Sequence, residues 1–355
     1  MKLGRLFSLV LLALLCGVAP PSFAGGKLVI NSYGGSWGQA IQLGLIDQFQ
    51  RETGIEVTLL STWDIAKSKA ALQSGNPPPE DILDTELATA VSLDHDGLLA
   101  PIDYGRFDKD TLASVPDYAK NKIAVGWGVF GIGICYDKEV FPEGHEPKTW
   151  ADFWDFKNFP GKRGMLDWPD ETQPEFGLIA DGVPVDKLYP VDLDRAFKKL
   201  DELKPYVPKF PTSPAVLGQM LVDKQVVMEA CFTHRVQRLI DGGMSRIAIN
   251  FNQARLQTEY FTVWKNAPNR DNAMKFLAFI LKASPQAAWA QIGNTGPINP
   301  KAFDLIPADL AKKLPTSPVY KTFVKDDSWY SATAAGGKTN RETIEDRWNK
   351  WAAAQ

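Results

Sequence analysis

Histidine and cysteine are scarce in this chain, which has three residues of each type among 355. The histidines stand at positions 95, 145 and 234, and none has a second histidine or a cysteine at the spacing of metal ligands. We therefore expect neither a metal centre nor a cofactor. Cys135 and Cys231 lie in apolar, strand-like runs, which favours buried free thiols, although an oxidising compartment would permit a disulfide between them.

Long apolar runs are also absent, except at the amino terminus. Two basic residues precede an apolar run over residues 6–18, and the small-residue site Ser22-Phe23-Ala24 follows it. This order is typical of a secretory signal peptide, so residues 1–24 are predicted to be removed and the mature chain to begin near Gly25. A lipid anchor on Cys16 is disfavoured because a leucine precedes it. We expect a protein that is free in the periplasm.

The chain also lacks a large excess of charge of one sign, since it has 39 basic and 42 acidic side chains and a formal net charge of −3. Nucleic acid is therefore not an expected partner. The length of the chain after the predicted signal peptide exceeds what one hydrophobic core usually supports, so two domains are predicted.

A recognisable catalytic set is missing as well. Gly34-Gly35-Ser36-Trp37-Gly38 does match the G-x-S-x-G elbow of serine hydrolases, and it follows a predicted strand. In hydrolases of that fold several strands precede the elbow, whereas this strand is the first of the mature chain. Ser36 is interpreted instead as the N-cap of a helix, with Gln39 completing a capping box. We expect the protein not to be an enzyme, and a secreted serine hydrolase is the alternative function.

A complete βαβ unit is present over residues 27–60. A short apolar strand is followed by the glycine loop, by a helix with an apolar residue at every fourth position, and by Gly54 at the place of a left-handed cap. A second strand over residues 55–60 ends the unit. The strands of such a unit are parallel, and ligands bind beyond their carboxyl ends, where the glycine loop lies. The predicted fold class is α/β.

Polar and aromatic side chains mark two further strands. Asp84, Thr85 and Glu86 directly follow the third predicted strand. Trp127 stands in a glycine-rich run over residues 122–136, whose composition indicates a strand that crosses between two domains. Later strands are predicted over residues 226–232, 247–251 and 259–264, and a long buried helix over residues 275–292.

Carboxylates and aromatic rings recur together near predicted loop ends. The residues in this pattern are Trp37, Asp84, Glu86, Trp127, Trp168, Asp170, Glu171, Glu175, Glu259 and Tyr260. Proteins bind a cationic amine through ring faces and carboxylates, and each cation–π contact contributes about 0.5–2 kcal/mol. The pattern therefore predicts a small amine as the ligand.

The loop over residues 32–37, the segment 148–164 and the run 181–201 resemble the periplasmic solute-binding proteins of spermidine/putrescine-type ABC importers. The resemblance covers nearly the whole mature chain in order. It implies a type II periplasmic binding protein with two lobes, each a mixed β-sheet flanked by helices, and a ligand cleft between the lobes. It also implies a monomer that delivers its ligand to a membrane-embedded ABC permease.

The predicted lobe boundaries follow from two crossings of the chain. Lobe 1 is expected to comprise residues 25–127 and 258–297, and lobe 2 residues 128–257 and 298–355. The resemblance places ligand contacts in the glycine loop, after the third strand, in the loop 167–175, near Cys231 and at an aromatic-x-Asp motif. Together with Trp127 from the pattern above, the predicted ligand-binding residues are Tyr33, Ser36, Trp37, Asp84, Thr85, Glu86, Trp127, Asp170, Glu171, Glu175, Phe232, His234, Arg235 and Glu259.

Two aromatic residues of the family pattern are replaced in this chain. Cys231-Phe232-Thr233 stands where many members have Trp-Asn-Gly, and Gln257-Thr258-Glu259 stands at the aromatic-x-Asp motif. His234 and Arg235 follow the first of these, and Arg255 lies close in sequence to the second, so a positive group is expected to face the cleft. These departures favour choline, a betaine or an ω-amino acid over a long polyamine. Glu259 is expected to bind the positive charge of the ligand.

Overall fold

A computed structural model describes residues 25–169, 173–334 and 336–353 of the chain, so the predicted signal peptide lies outside the described residues. The strands are β1 Lys27–Asn31, β2 Glu56–Leu60, β3 Ile82–Thr85, β4 Leu99–Ala100, β5 Ala124–Asp137, β6 Arg163–Gly164, β7 Met228–Phe232, β8 Ile247–Trp264, β9 Gly296–Pro297 and β10 Phe323–Val324. In these three segments no helix combines the length and the apolar character needed to cross a bilayer.

The described residues also form fifteen α-helices. They are α1 Gly35–Ile41, α2 Asp47–Thr53, α3 Ile65–Gln73, α4 Leu87–His95, α5 Lys109–Ser114, α6 Trp150–Trp154, α7 Gln173–Ala180, α8 Leu193–Leu203, α9 Pro214–Val222, α10 Thr233–Asp241, α11 Arg270–Ile280, α12 Ala283–Gly293, α13 Ala308–Ala311, α14 Asp327–Ser331 and α15 Asn340–Ala353. A π-helical turn, Gln42–Ile46, joins α1 to α2. Short 3₁₀ turns occupy Tyr104–Arg106, Asp117–Ala119, Val185–Lys187, Lys204–Tyr206 and Pro300–Leu305.

The described strands form one mixed sheet with the main order β2-β1-β3-β8-β5-β7-β6. β1 pairs in parallel with both β2 and β3, which confirms the βαβ prediction and the α/β fold class. β8 runs antiparallel to β3 and β5, and β4 and β10 pair with β8 outside the main order. The carboxyl ends of β1 and β3 therefore lie side by side.

β5 and β8 are the longest strands, with 14 and 18 residues. They pair from Ala124 opposite Thr262 to Asp137 opposite Ile247, with register shifts between Gly126 and Gly128 and between Ile132 and Ile134. The prediction of separate strands over residues 247–251 and 259–264 is wrong, because β8 is continuous. The polar residues between them do not break the strand, since β5 supplies hydrogen-bond partners along most of its length.

The buried apolar side chains form two large cores that meet on β5. The first core includes Trp127 and Val129, and the second begins with Phe130 and Ile132. We call these the first core and the second core. Residues 302–314, which the sequence places in lobe 2, pack on α12 beside the first core. The exact lobe boundaries stay a prediction.

The helix after β1 begins earlier than the sequence predicts. α1 starts at Gly35 with Gly34 as its N-cap, so the interpretation of Ser36 as N-cap is wrong. Gly34 has a φ of 74°, and a Cβ there would lie 2.6 Å from the Cβ of Ser61. Only glycine tolerates both constraints, and this lets the chain turn into the helix before Ser36. Gly54, with a φ of 65°, forms the predicted left-handed cap of α2.

The predicted single helix over residues 275–292 is wrong, because α11 and α12 are separate helices. Side chains hydrogen-bond the carbonyl groups at the end of α11. The Gln286 side chain donates to the Ile280 oxygen at 2.7 Å, and the Asn299 side chain donates to the Leu281 oxygen at 2.8 Å. These partners, six and 18 residues further along the chain, stabilise a break that the apolar pattern of the sequence does not reveal.

Cys135 on β5 and Cys231 on β7 form a disulfide with a Cα–Cα distance of 5.8 Å. The expectation of free thiols is therefore wrong. Antiparallel pairing places Cys231 opposite Gly133 and Cys135 opposite Glu229, so the two cysteines are diagonal neighbours on one face of the sheet. This register is a property of the sheet, and neither local run predicts it.

Candidate ligand-binding site

A cavity of about 360 Å³ lies where the first and second cores meet. It is bordered by the loop after β1, the segment after β3, the middle of β5 and β8, and the junction of β7 with α10. The lining residues are Tyr33, Gly34, Gly35, Trp37, Glu86, Phe130, Trp168, Phe232, His234, Arg235 and Glu259. The site therefore draws on segments that are distant in sequence and that the long strands hold together.

Asp84, near the end of β3, supports one wall of this cavity from the protein interior. Its carboxylate accepts hydrogen bonds from the Ser32 hydroxyl at 2.7 Å, from the Trp37 indole at 2.8 Å and from the Trp127 indole at 3.2 Å. Burial raises the pKa of Asp84 to about 7, while the bonds from Ser32, Trp37 and Trp127 lower it. Because protein donors occupy both oxygens, Asp84 positions Trp37 rather than lining the cavity.

Aromatic rings form much of the cavity wall. The centroid of the Trp37 ring lies 5.8 Å from that of His234. Phe130 and Phe232 are 5.4 Å apart, and Trp168 meets Phe232 edge-on at 5.9 Å. Such rings present negative faces to a ligand cation and exclude water from it.

Charges of both signs stand on the same wall. Glu259, on β8, is only 6% exposed, and Glu86 is half-buried at the cavity edge. The Glu86 carboxylate lies 3.6 Å from the guanidinium group of Arg341. Arg235, on the first turn of α10, is exposed and brings a guanidinium group to the same cavity. The cavity can therefore interact with an anionic and a cationic group.

His234 contributes a neutral imidazole. Burial, together with the nearby charges of Arg235 and Arg238, lowers the pKa of His234 to about 3. Its Nδ1 atom is buried and has no hydrogen-bond partner among the described residues. A neutral ring offers a ligand one donor and one acceptor across the whole physiological pH range.

The structure brings half of the predicted ligand-binding residues to the cavity. Those that line it are Tyr33, Trp37, Glu86, Phe232, His234, Arg235 and Glu259. Asp84, Thr85 and Trp127 are fully buried behind the wall. The backbone of Ser36 is in α1, but its side chain lies outside the described residues, as do Asp170 and Glu171.

Glu175 belongs to a buried cluster that does not line the cavity. Its carboxylate accepts hydrogen bonds from the hydroxyl groups of Tyr189 at 2.9 Å and Tyr330 at 2.7 Å. The guanidinium group of Arg255 lies 4.0 Å away and donates to Gln257 at 2.7 Å. Arg255, which the sequence suggested as a charge facing the cleft, is thus paired within the protein interior.

Two aromatic lining residues are absent from the predicted set. Trp168 belongs to the aromatic–carboxylate pattern of the sequence, which is the signal that identifies it. Phe130 has no such signal, because it stands in a run where all neighbours are buried and apolar or glycine. Its place in the cavity follows from the pairing of β5 with β7 and β8.

A cavity at the junction of two cores, crossed by two long antiparallel strands, defines a two-lobed binding protein of the periplasmic type. The chain belongs to the bacterial extracellular solute-binding protein family, whose model matches residues 44–318. It is therefore the substrate-binding component of an ABC transporter.

Three known proteins illustrate this relationship. The chain is 29% identical over 333 residues to the gamma-aminobutyric acid-binding protein of Pseudomonas aeruginosa, covering 92% of this chain and 91% of that protein. It is 23% identical over 323 residues to the spermidine/putrescine-binding periplasmic protein of Escherichia coli, covering 86% and 88%. A crystal structure of an ABC transporter substrate-binding protein from Bradyrhizobium japonicum has a TM-score of 0.82 and 32% identity, covering 92% of this chain and 99% of that chain.

The serine hydrolase alternative is not favoured. The Gly34–Gly38 motif continues directly into α1, and Ser36 is already helical rather than at a sharp strand-to-helix turn. The relatives described above are solute-binding proteins.

Proposed function

We propose that this protein binds a compact zwitterionic amine, an ω-amino acid in particular, in the periplasm and delivers it unchanged to an ABC permease. The observation that carries the proposal is the presence of a buried carboxylate, Glu259, and a guanidinium group, Arg235, in the wall of one small cavity. A free amino acid with its charges at opposite ends complements that pair.

The ammonium end of the ligand binds at Glu259. A carboxylate that is 6% exposed has little water to compete with, so a charge-assisted hydrogen bond to an ammonium group is strong there. The face of Trp37, which Asp84 holds in place, adds a cation–π contact of about 0.5–2 kcal/mol. Glu86 adds negative potential at the cavity edge.

The carboxylate end of the ligand binds at Arg235. A guanidinium group matches the two oxygens of a carboxylate with two parallel hydrogen bonds. Neutral His234, next to it in α10, supplies a further donor without adding charge. A linear polyamine has a cation at each end and would place one of them against Arg235, which is repulsive.

The size of the cavity also favours a short ligand. A volume of about 360 Å³ is near the lower limit of about 300 Å³ for small-molecule pockets. The names of two relatives, a gamma-aminobutyric acid-binding protein and a spermidine/putrescine-binding protein, support an amine as the ligand class.

Calorimetric titration of the purified mature protein tests this function. We expect 4-aminobutyrate to bind more tightly than putrescine, choline or glycine betaine. Arg235→Gln should weaken binding of 4-aminobutyrate at least tenfold and leave putrescine unaffected or stronger. Arg51→Gln, which changes an exposed arginine on α2, is the matched control. Tighter binding of putrescine than of 4-aminobutyrate, weakened equally by Arg235→Gln, would contradict the proposal.

The proposal also includes export with cleavage near Gly25. The intact mass of the protein recovered from the periplasm should correspond to a chain that begins at or near that residue. Retention of the amino terminus or lipid on Cys16 would contradict it.

A further inference from the structure

Trp63, in the loop over residues 61–64 between β2 and α3, has an unusual backbone conformation. Its φ is 43°, in the left-handed region that residues with a side chain rarely adopt. A bulky residue in this region is strained, and such strain persists only where the surrounding structure imposes it. The conformation therefore requires neighbours that hold Trp63 in place.

Two hydrogen bonds hold Trp63 in this conformation. Its backbone N–H donates to the side-chain oxygen of Asn31 at 2.9 Å, and its indole N–H donates to the backbone oxygen of Asp84 at 2.8 Å. Asn31 is the last residue of β1, Asp84 lies near the end of β3, and both residues are buried. Trp63 is thus fixed to the carboxyl ends of two parallel strands, which is the edge of the sheet where ligands bind.

The ring of Trp63 packs against Tyr33, which lines the cleft cavity. The two rings are stacked, with centroids 5.2 Å apart and an angle of 26° between their planes. Trp63 itself is not a lining residue of the cavity. Next to this stack, Gly34 lies so close to Ser61 that a Cβ on the glycine would be 2.6 Å from the serine Cβ. The loop 61–64 therefore supports the glycine loop at two adjacent points.

Tyr33 lies close to the carboxylates of the cleft. Desolvation raises the pKa of its hydroxyl group well above the usual value, and the charges of Glu259, Asp84 and Glu86 raise it further. The hydroxyl group is therefore neutral at physiological pH. Because Tyr33 and Glu259 line the same cavity, the position of the tyrosine ring limits the size of a cation that can contact Glu259.

We propose that Trp63 is a positioning residue for ligand selectivity, which fixes the ring of Tyr33 so that the space beside Glu259 accommodates a primary ammonium group and excludes a trimethylammonium group. The proposal rests on the proposed function in one respect only, which is that the ligand amine binds at Glu259 in the cleft cavity. A trimethylammonium group is the wider of the two groups. Discrimination by size therefore needs a wall that does not move, and the two buried hydrogen-bond acceptors of Trp63 provide one.

The test is calorimetry of the mature protein with 4-aminobutyrate, putrescine and choline. Trp63→Gly removes the ring at a backbone position that glycine adopts without strain, so the variant should fold. We expect it to weaken 4-aminobutyrate binding at least about tenfold, because a mobile wall must be ordered when the ligand binds. The ratio of the choline dissociation constant to that of 4-aminobutyrate should fall at least about fivefold.

Lys224→Gly is the matched control for the change of backbone conformation. Lys224 has a φ of 59° and lies in an exposed turn between α9 and β7, away from the residues that line the cleft cavity. This variant should change neither the affinity for 4-aminobutyrate nor the ratio to choline by more than about twofold.

Two further variants separate positioning from a general effect on the fold. Trp63→Phe keeps a ring that can stack on Tyr33, so it should bind 4-aminobutyrate within about threefold of the wild-type affinity. Tyr33→Ala removes the residue through which Trp63 acts. Adding Trp63→Gly to Tyr33→Ala should therefore change the affinity by less than about twofold.

Three outcomes would overturn the role of Trp63. They are wild-type affinity of Trp63→Gly for 4-aminobutyrate, an unchanged ratio to choline in that variant, and a further tenfold loss when Trp63→Gly is added to Tyr33→Ala. Circular dichroism provides the folding control, and Trp63→Asn takes the place of Trp63→Gly if the glycine variant does not fold, since asparagine tolerates the left-handed region. Tighter binding of putrescine than of 4-aminobutyrate by the wild type would contradict the proposed function instead. The same comparisons with putrescine in place of 4-aminobutyrate would then still decide the role of Trp63.

Discussion

At the scale of single residues, two buried carboxylates near the cleft have different roles because their neighbours differ. Asp84 accepts hydrogen bonds from Ser32, Trp37 and Trp127, and it thereby orients an aromatic wall. Glu259 lines the cavity itself. Burial alone therefore does not distinguish an acid that lines the cavity from one that supports its wall.

The first residue-scale prediction concerns Glu259. Glu259→Ala should weaken ligand binding at least about thirtyfold, because removing one partner of a buried charge pair costs about 2–5 kcal/mol and about 1.4 kcal/mol is a factor of ten. Calorimetry with 4-aminobutyrate measures this. Glu86→Gln is the comparison, since Glu86 is half-buried and paired with Arg341, and its loss should cost within about 1 kcal/mol. Near-wild-type affinity in Glu259→Ala would exclude Glu259 from the site.

The second residue-scale prediction concerns pH. The pKa values of Asp84 and Glu229, about 7 and about 8, are raised above those of the unfolded chain. These two groups keep a proton in the native state at pH values where the unfolded chain has lost it, whereas His234, with its pKa lowered to about 3, binds fewer protons in the native state below about pH 6.5. The free energy of unfolding should therefore fall as the pH rises, most steeply between about pH 6.5 and 8. Urea unfolding at pH 5, 6, 7 and 8 measures this decline.

Glu229→Gln should make the decrease in unfolding free energy between pH 7 and 8 shallower, because it removes one of the two carboxyl groups whose pKa is raised. Glu139→Gln is the matched control. Glu139 is exposed, and its bond to Lys224 lowers its pKa, so its stabilising contribution does not change above pH 5. Equal slopes in wild type and Glu229→Gln would contradict the prediction.

At the scale of elements, the loop between β1 and α1 determines where Trp37 lies in the cavity wall. Gly34 combines a φ of 74° with a close approach to Ser61, so the loop tolerates no side chain there. The helix that follows carries Trp37 to the cavity, and a shift of the loop would move that ring.

Gly34→Ala should therefore lower both stability and ligand affinity. Gly75→Ala separates the two effects, because Gly75 has a similar φ of 76° but open space around it. A left-handed alanine alone costs about 1–2 kcal/mol, so Gly75→Ala should lose that stability and keep full affinity. Thermal unfolding and calorimetry measure both variants. Unchanged affinity in Gly34→Ala would show that the loop does not position the site.

The disulfide between β5 and β7 is the second element-scale feature. It closes a loop with a sequence separation of 96, for which the chain-entropy model predicts about 4–5 kcal/mol of stabilisation. The double variant Cys135→Ala/Cys231→Ala should therefore have a free energy of unfolding that is lower by about 4–5 kcal/mol, and it should unfold at a lower urea concentration. A loss below about 1 kcal/mol, or no effect of reductant on the wild-type protein, would contradict the prediction.

At the scale of the whole molecule, β5 and β8 connect the two cores through continuous backbone with register shifts near the cavity. Closure about a few backbone positions is the usual motion of two lobes joined in this way. Small-angle scattering should show a smaller radius of gyration when ligand is added. The Glu259→Ala protein at the same ligand concentration provides the unliganded control. Identical profiles with and without bound ligand would argue against closure.

The sequence by itself determined the features that depend on short-range periodicity. The apolar repeat of residues 27–60 and the glycine at position 54 predicted the βαβ unit, and the structure confirms its parallel strands. The motifs in chain order also indicated the solute-binding family, which the family match confirms. The βαβ signals each lie within a few turns or one strand, where local conformational preferences decide the structure.

Only the tertiary structure decided which side chains meet. The register of β5 against β7 brings Cys135 to Cys231, and the pairing of β5 with β8 brings Phe130 into the cavity. Long-range packing also places Glu175 and Arg255 in a buried cluster that does not line the cavity. A shift of one residue in strand register moves every side chain to the other face of the sheet, and the free energy that selects the register comes from residues far apart in the chain.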